Sequence, residues 1–296
     1  AANVEAGDWD DFLRYTKMLI KDGMKGGQIA SITKALSAVD RADRESVAQH
    51  AAPFMRSDMY GWEVETVVKS IAGIAAKNRL AFVSTIDQFI HGTTDKEGIL
   101  GIIRCVATID AADWPIFVRH ANMLIKDGMA EDQIAGITRA LSIIDRTDKE
   151  SVAQYAAPFI KRDVYGYKIE TIVKSIAGIA AENRPDFVRT VHQFIHGKIR
   201  GFALSCIIEA VAKVDAADWV DVVKRIHPLI TGKVNGEYFA KLITASAKID
   251  ARDWDDFVGQ VQELRTDKME GENIIDIIGA LAKLEPADWP IFVRHA

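Results

Sequence analysis

Three groups of side chains in this sequence have the types and spacing for chemistry: a few histidines, a row of bases, and two pairs of aromatics beside glycines. His192 and His196 are four residues apart, so on a helix both would face one metal ion, and His227 occupies the matching place one structural unit later. Two ligands do not complete a site and no third is evident, so these are read as surface imidazoles and no metal is expected. The chain has no glycine-rich phosphate loop, zinc-protease helix or nucleophile elbow. Cys105 and Cys206 are far apart and fall at different places in their units, so neither a disulfide framework nor a zinc site follows. The reading is a non-enzymatic protein without cofactor, with reduced thiols.

The basic row is Lys34, Lys69, Arg104, Arg139 and Lys174, each 35 residues from the last, and it breaks at Glu209. The aromatic pairs are Tyr60 with Trp62 and, 105 residues later, Tyr165 with Tyr167. Both sets point to binding: bases attract anionic groups, and exposed aromatics at a turn edge are the anchors that dominate interfaces. Glu65 to Lys69 and Glu170 to Lys174 have the favourable i, i+4 order on a helix, so helix pairing explains two of the five bases.

The elements that must position these residues follow from the period. Aligned on its Asp-Trp dipeptides, the sequence divides into units of 35 residues starting at Asp8, Asp43, Asn78, Asp113, Asp148, Asn183, Asp218 and Asp253, with a ninth start at Asp288, and no insertion breaks the frame. Counting positions from each start, apolar residues fall at 5, 6, 9, 12 and 13, then at 22, 25, 29 and 32. That spacing predicts two amphipathic helices, A over about positions 2–13 and B over about 19–32. Glycine lies between them in every unit, as at Gly23, Gly61, Gly92 and Gly128, and marks the turn. The Asp or Asn at position 1 reads as a cap for helix A. Trp9, Trp114, Trp219, Trp254 and Trp289 follow it and are expected to pack between adjacent units. Pro53, Pro158 and Pro228 stand at position 11 and should end helix A early.

Residues 43–77 match 148–182 at 24 of 35 positions but match 8–42 at only 4, so the duplicated unit was a triplet of hairpins. In general plan the sequence is similar to the tetratricopeptide and pentatricopeptide class, whose 34- or 35-residue hairpins stack into a superhelix. The likeness is architectural, and no single residue's role carries over from it. It implies an all-α, right-handed α-solenoid of eight hairpins plus a partial ninth, one domain over residues 1–296.

Composition narrows the function. The chain is 49% apolar with no run of 18 apolar residues, so it is expected to be soluble, non-membrane and intracellular, in the cytoplasm. The net charge of -5 weighs against a surface dominated by phosphate contacts. Position 24 is small in six units (Ser31, Thr66, Gly101, Gly136, Thr171, Cys206), which suits a crowded concave wall made by helix B. The sequence therefore predicts a scaffold that binds a protein or peptide, acidic in character, along that groove through the basic row and the turn aromatics. Modular binding of single-stranded RNA or DNA is the alternative, and a structural spacer the third. The last nine residues, DWPIFVRHA, repeat residues 113–121 with their apolar side chains, so end-to-end association is also expected.

Overall fold

The structure is a computed structural model that describes residues 4–90, 96–195, 201–226, 236–250, 252–264 and 271–295. Among these residues it is all-helical, with seventeen α-helices and no strand. The A helices are α1 (Trp9–Leu19), α3 (Arg44–Ala51), α5 (Arg79–Asp87), α7 (Trp114–Leu124), α9 (Lys149–Ala156), α11 (Arg184–Phe194), α13 (Trp219–Ile226), α15 (Trp254–Leu264) and α17 (Trp289–His295). The B helices are α2 (Gly26–Ser37), α4 (Gly61–Ala72), α6 (Lys96–Ala107), α8 (Glu131–Ser142), α10 (Gly166–Ala177), α12 (Gly201–Ala212), α14 (Gly236–Ser246) and α16 (Gly271–Leu281). Every A helix starts at position 2 and every B helix at position 19, as the apolar spacing requires.

The chain forms two compact units, Ala1–Lys149 and Glu150–Ala296. In the first, α2, α4, α6 and α8 pack in succession as one layer, and α1, α3, α5 and α7 as a second layer against it. In the second, α10, α12, α14 and α16 pack in succession, with α11 on α13 and α15 on α17. The stripe between the layers is dry. Position 5 (Phe12, Val47, Phe82, Phe117, Val152, Phe187, Val222, Phe257) is buried throughout, as is position 25 from Ile32 to Leu242. Each such side chain contributes about 1.5–3 kcal/mol on leaving water.

The residue at position 2 ties successive repeats together by a means the tryptophans alone do not reveal. The last carbonyls of a helix have no partner within it. Trp114 Nε1 donates to Val106 and Ile109 O at the end of α6, at 3.2 and 3.0 Å, and Trp219 and Trp289 donate likewise to the helices before them. Where tryptophan is absent, Arg44, Arg79 and Arg184 donate through Nε to the same carbonyls, and Lys149 Nζ donates to Ile144 O. The column is thus Trp, Arg or Lys because each carries an N–H donor on a long apolar stem. Trp254 is the exception: Arg225 takes the carbonyls of Ser246 and Ile249 in its place. Trp9, which follows the 3-10 turn at Ala6–Asp8, is 38% exposed.

Three expectations need correction or refinement. Asp8, Asp43, Asn78, Asp113 and Asn183 at position 1 do not cap. Among the described residues a 3-10 turn precedes seven of the nine A helices (as at Ala6–Asp8, Arg41–Asp43 and Ala111–Asp113), so Asp8, Asp43 and Asp113 already have helical backbone angles and form no side-chain cap bond. They make ion pairs instead: Asp8 with Arg41 at 2.6 Å, Asp43 with Arg79, and Asp113 with Arg146 at 2.9 Å. The glycines divide by cause. Gly23 and Gly128 turn the chain with φ of 89° and 75°. Gly61 and Gly201 open helix B where the preceding repeat leaves no room, since a Cβ would lie 2.6 Å from Ser31 Oγ and from Val164 Cγ2 respectively. Gly92 lies outside the described residues. Finally, α3 and α9 do stop early and pass into 3-10 turns at Ala52–Phe54 and Ala157–Phe159, which contain Pro53 and Pro158. Pro228 also lies outside the described residues.

Candidate functional site

In the first unit the aromatic pair and part of the basic row form one surface. Tyr60 immediately precedes α4, with its backbone extended (φ -76°, ψ 159°) and its N–H donating to Glu63 Oε2 at 2.5 Å. This bond orients the start of the helix, so Tyr60 and Trp62 stand outward at 62% and 54% exposure. The next repeat supplies a cation to each ring. Lys96 Nζ lies 4.0 Å from the Tyr60 centroid, where Asp58 O accepts from it at 2.8 Å and Glu63 Oε2 lies 3.5 Å away. Arg104 Cζ lies 5.5 Å from the Trp62 centroid, and its Nη2 reaches Thr66 Oγ1 at 3.5 Å. Cations over ring faces hold both partners in place while leaving the outer ring faces to solvent.

Beside this pair, Lys69 and Lys34 both reach Glu65, at 2.6 and 3.3 Å. The hydrogen bond from Lys69, and then that from Lys34, holds the Glu65 carboxyl below the usual carboxylate range. The i, i+4 pairing expected for Lys69 is present, and Lys34 uses the same carboxylate across the repeat boundary. Lys34, Lys69, Lys96 and Arg104 thus stand against Glu63 and Glu65, four positive charges against two negative. The patch keeps a net positive charge of two although the chain as a whole is acidic.

Arg139 differs from the others in the row. It is half-buried on α8, and its Nη1 is 3.1 Å from where a Cβ on Gly101 would sit. The same close approach accounts for small residues at position 24, because that Cβ would also meet Ala135 Cβ at 3.1 Å. Ser31 likewise abuts Gly61. The small column therefore reports contact between consecutive B helices and gives no independent sign of a ligand groove.

In the second unit the corresponding aromatics are arranged differently. Tyr165 and Tyr167 stack with centroids 6.1 Å apart and planes at 15°. Lys168 Nζ lies 5.3 Å from the Tyr167 ring and 4.2 Å from Phe202. Lys174 pairs with Glu170 at 2.6 Å. Glu209, the equivalent of Arg104, pairs with Lys213 at 2.8 Å, so no base stands in that place.

Sequence reasoning overlooked Lys96, Lys168 and Phe202. A signal for Lys96 was available: position 19 is Gly in six of the eight full units, and Lys96 and Glu131 are its exceptions. No group of three or more metal-binding side chains occurs among the described residues. His192 packs its ring 5.2 Å from Phe159, whereas His196 and His227 lie outside the described residues. Cys105 is buried and Cys206 half-buried, and neither is in a disulfide. No described helix is long and apolar enough to cross a membrane. No protein-family model matches the chain, and no curated protein matches it.

Proposed function

We propose that this chain is a non-enzymatic binding module in which each unit is a stretch of α-solenoid, and that the helix-B side of the first unit takes an acidic peptide segment of a protein partner. The observation that carries the reading is the Arg104 guanidinium over the exposed Trp62 ring, with Lys96 over Tyr60 beside it. Trp, Tyr and Arg are the residues that most often dominate binding energy, and here they are held in position before any ligand arrives. The uncompensated charge selects carboxylates, and the outer ring faces select apolar side chains between them. Single-stranded nucleic acid is the weaker reading, because non-specific stacking uses successive rings along the strand, whereas in the first unit Tyr60 and Trp62 are the only aromatics at position 18 or 20 of the repeats.

The test is a selection of random peptides on the immobilised protein, with anisotropy of mixed-sequence single-stranded RNA measured in parallel. The expected outcome is a consensus rich in Asp and Glu with interspersed apolar residues, and little RNA binding at physiological salt. Tight RNA binding at low salt that falls steeply as salt is raised would replace this reading with the nucleic-acid one. No consensus at all would favour a structural spacer.

A further inference from the structure

A second cleft, on the helix-A side of the first unit, holds a buried arginine whose terminal nitrogens have no partner. Arg44 is only 6% exposed. Its Nε donates to the Leu36 and Val39 carbonyls at 3.2 and 3.0 Å, and its Cζ lies 5.5 Å from the Phe12 ring centroid. Among the described residues, no hydrogen bond or ion pair reaches either of its Nη groups. They border a cleft of roughly 240 Å³ shared with Asp8, Asp11, Tyr15, Arg41 and Glu45.

The next repeat shows what such an arginine ordinarily receives. Arg79, at the same position, uses Nε for the Ile71 carbonyl and both Nη groups for the two oxygens of Asp43. The residue equivalent to Asp43 is Asp8, but Arg41 holds it at 2.6 Å. Position 34, where Arg41 stands, is Ala76 in the third unit's approach, so nothing there competes for Asp43 in that way. The other two carboxylates are also engaged: Asp11 accepts from Arg14 at 3.0 Å, and Glu45 accepts from the Tyr15 hydroxyl at 3.4 Å. Arg44 is left with a buried stem and a fork without its carboxylate.

We propose that this cleft is a binding site for a carboxylate group, which would sit on the two Nη groups of Arg44 as Asp43 sits on Arg79. A planar monoanion matches the guanidinium fork, with two parallel N–H···O bonds. The three carboxylates already around the cleft disfavour a dianion such as phosphate at neutral pH. The site uses none of the helix-B surface, so it stands or falls separately from the peptide reading above.

The column itself supplies the variants. Lys149 and Trp114 show that Lys and Trp fill this position and still donate to the preceding helix, so Arg44→Lys and Arg44→Trp keep the structural bond and remove the fork. Melting temperature would be followed as sodium acetate replaces sodium chloride at constant ionic strength, with inorganic phosphate as a third series. The wild type is expected to show a saturable, acetate-specific rise, from which an affinity follows by linkage. Both variants should melt near the wild type without acetate and bind it about tenfold more weakly or worse. The inference is overturned if acetate shifts the wild type no more than chloride, if either variant responds as the wild type does, or if phosphate matches acetate.

Discussion

Replacing Asp43 by alanine is expected to lower the stability of the first unit by about 3–5 kcal/mol, the range for leaving one member of a buried ion pair without the other. Arg79 is 1% exposed and gives both Nη groups to this one carboxylate, so the variant keeps a charge in the core and removes its only ionic partner among the described residues. The loss should depend on pH in a definite direction. The hydrogen bonds from Arg79, helped by its charge and opposed by burial, hold the Asp43 carboxyl below its usual range. A lowered folded value means that the stabilisation is complete above the ordinary carboxylate value near 4 and is lost as pH falls through the depressed one. Urea unfolding followed by circular dichroism should therefore separate wild type and Asp43→Ala widely at pH 7 and progressively less below about pH 4. The double variant Asp43→Ala/Arg79→Trp removes the orphaned charge while keeping a donor for Ile71 O, and should recover much of the loss. An Asp43→Ala protein as stable as the wild type at neutral pH would show that the pair does not hold these repeats together.

Trp114→Ala is expected to cost about 3–5 kcal/mol. It empties a site that is 2% exposed and 5.5 Å from the Phe82 ring, and it leaves the Val106 and Ile109 carbonyls at the end of α6 without their donor. Two comparisons separate the donor from the bulk. Trp114→Arg imitates Arg79 and Arg184, keeps the donor and should lose markedly less. Trp9→Ala changes the same repeat position where the ring is 38% exposed and its Nε1 has no hydrogen-bond partner among the described residues, and should cost about 1 kcal/mol or less. Equal losses in Trp114→Ala and Trp114→Arg would mean that ring volume alone matters, and hydrogen exchange at the end of α6 should then be alike in both.

How much of this was legible in the sequence follows from where each cause lies. Because no insertion breaks the 35-residue frame, the apolar positions gave the start of every helix, but the ends vary: α1 runs over positions 2–12 and α2 over 19–30, whereas α3 stops at position 9 and α5 at position 10. Causes that cross a repeat boundary were not legible. Asp8 and Asp43 share a type and a position yet go to Arg41 and Arg79, a choice made by which cation the stacking brings close. Arg44, Arg79 and Arg184 look like ordinary surface arginines until the preceding helix end is seen against them. For the candidate site, the sequence supplied Trp62 and Arg104 as separate suggestions 42 residues apart, and only the packing of α6 on α4 brings them together. Lys34 and Lys69 converge on Glu65, and Arg139 turns toward Gly101.

The peptide-binding reading is tested most directly by titrating a fluorescently labelled form of the selected acidic peptide into the wild type and into Trp62→Ala, Arg104→Glu and the two combined, with melting temperature measured on each. Both substitutions fall on exposed side chains, so the melting temperatures of all three variants should agree with the wild type to within a few degrees. Removing a central aromatic anchor should weaken binding by about 2 kcal/mol, roughly thirtyfold, and reversing Arg104 should weaken it by at least as much. The double variant should lose less than the sum, since Arg104 and Trp62 support one another. Wild-type affinity in the double variant, with the fold intact, would contradict a binding surface at Trp62 and Arg104.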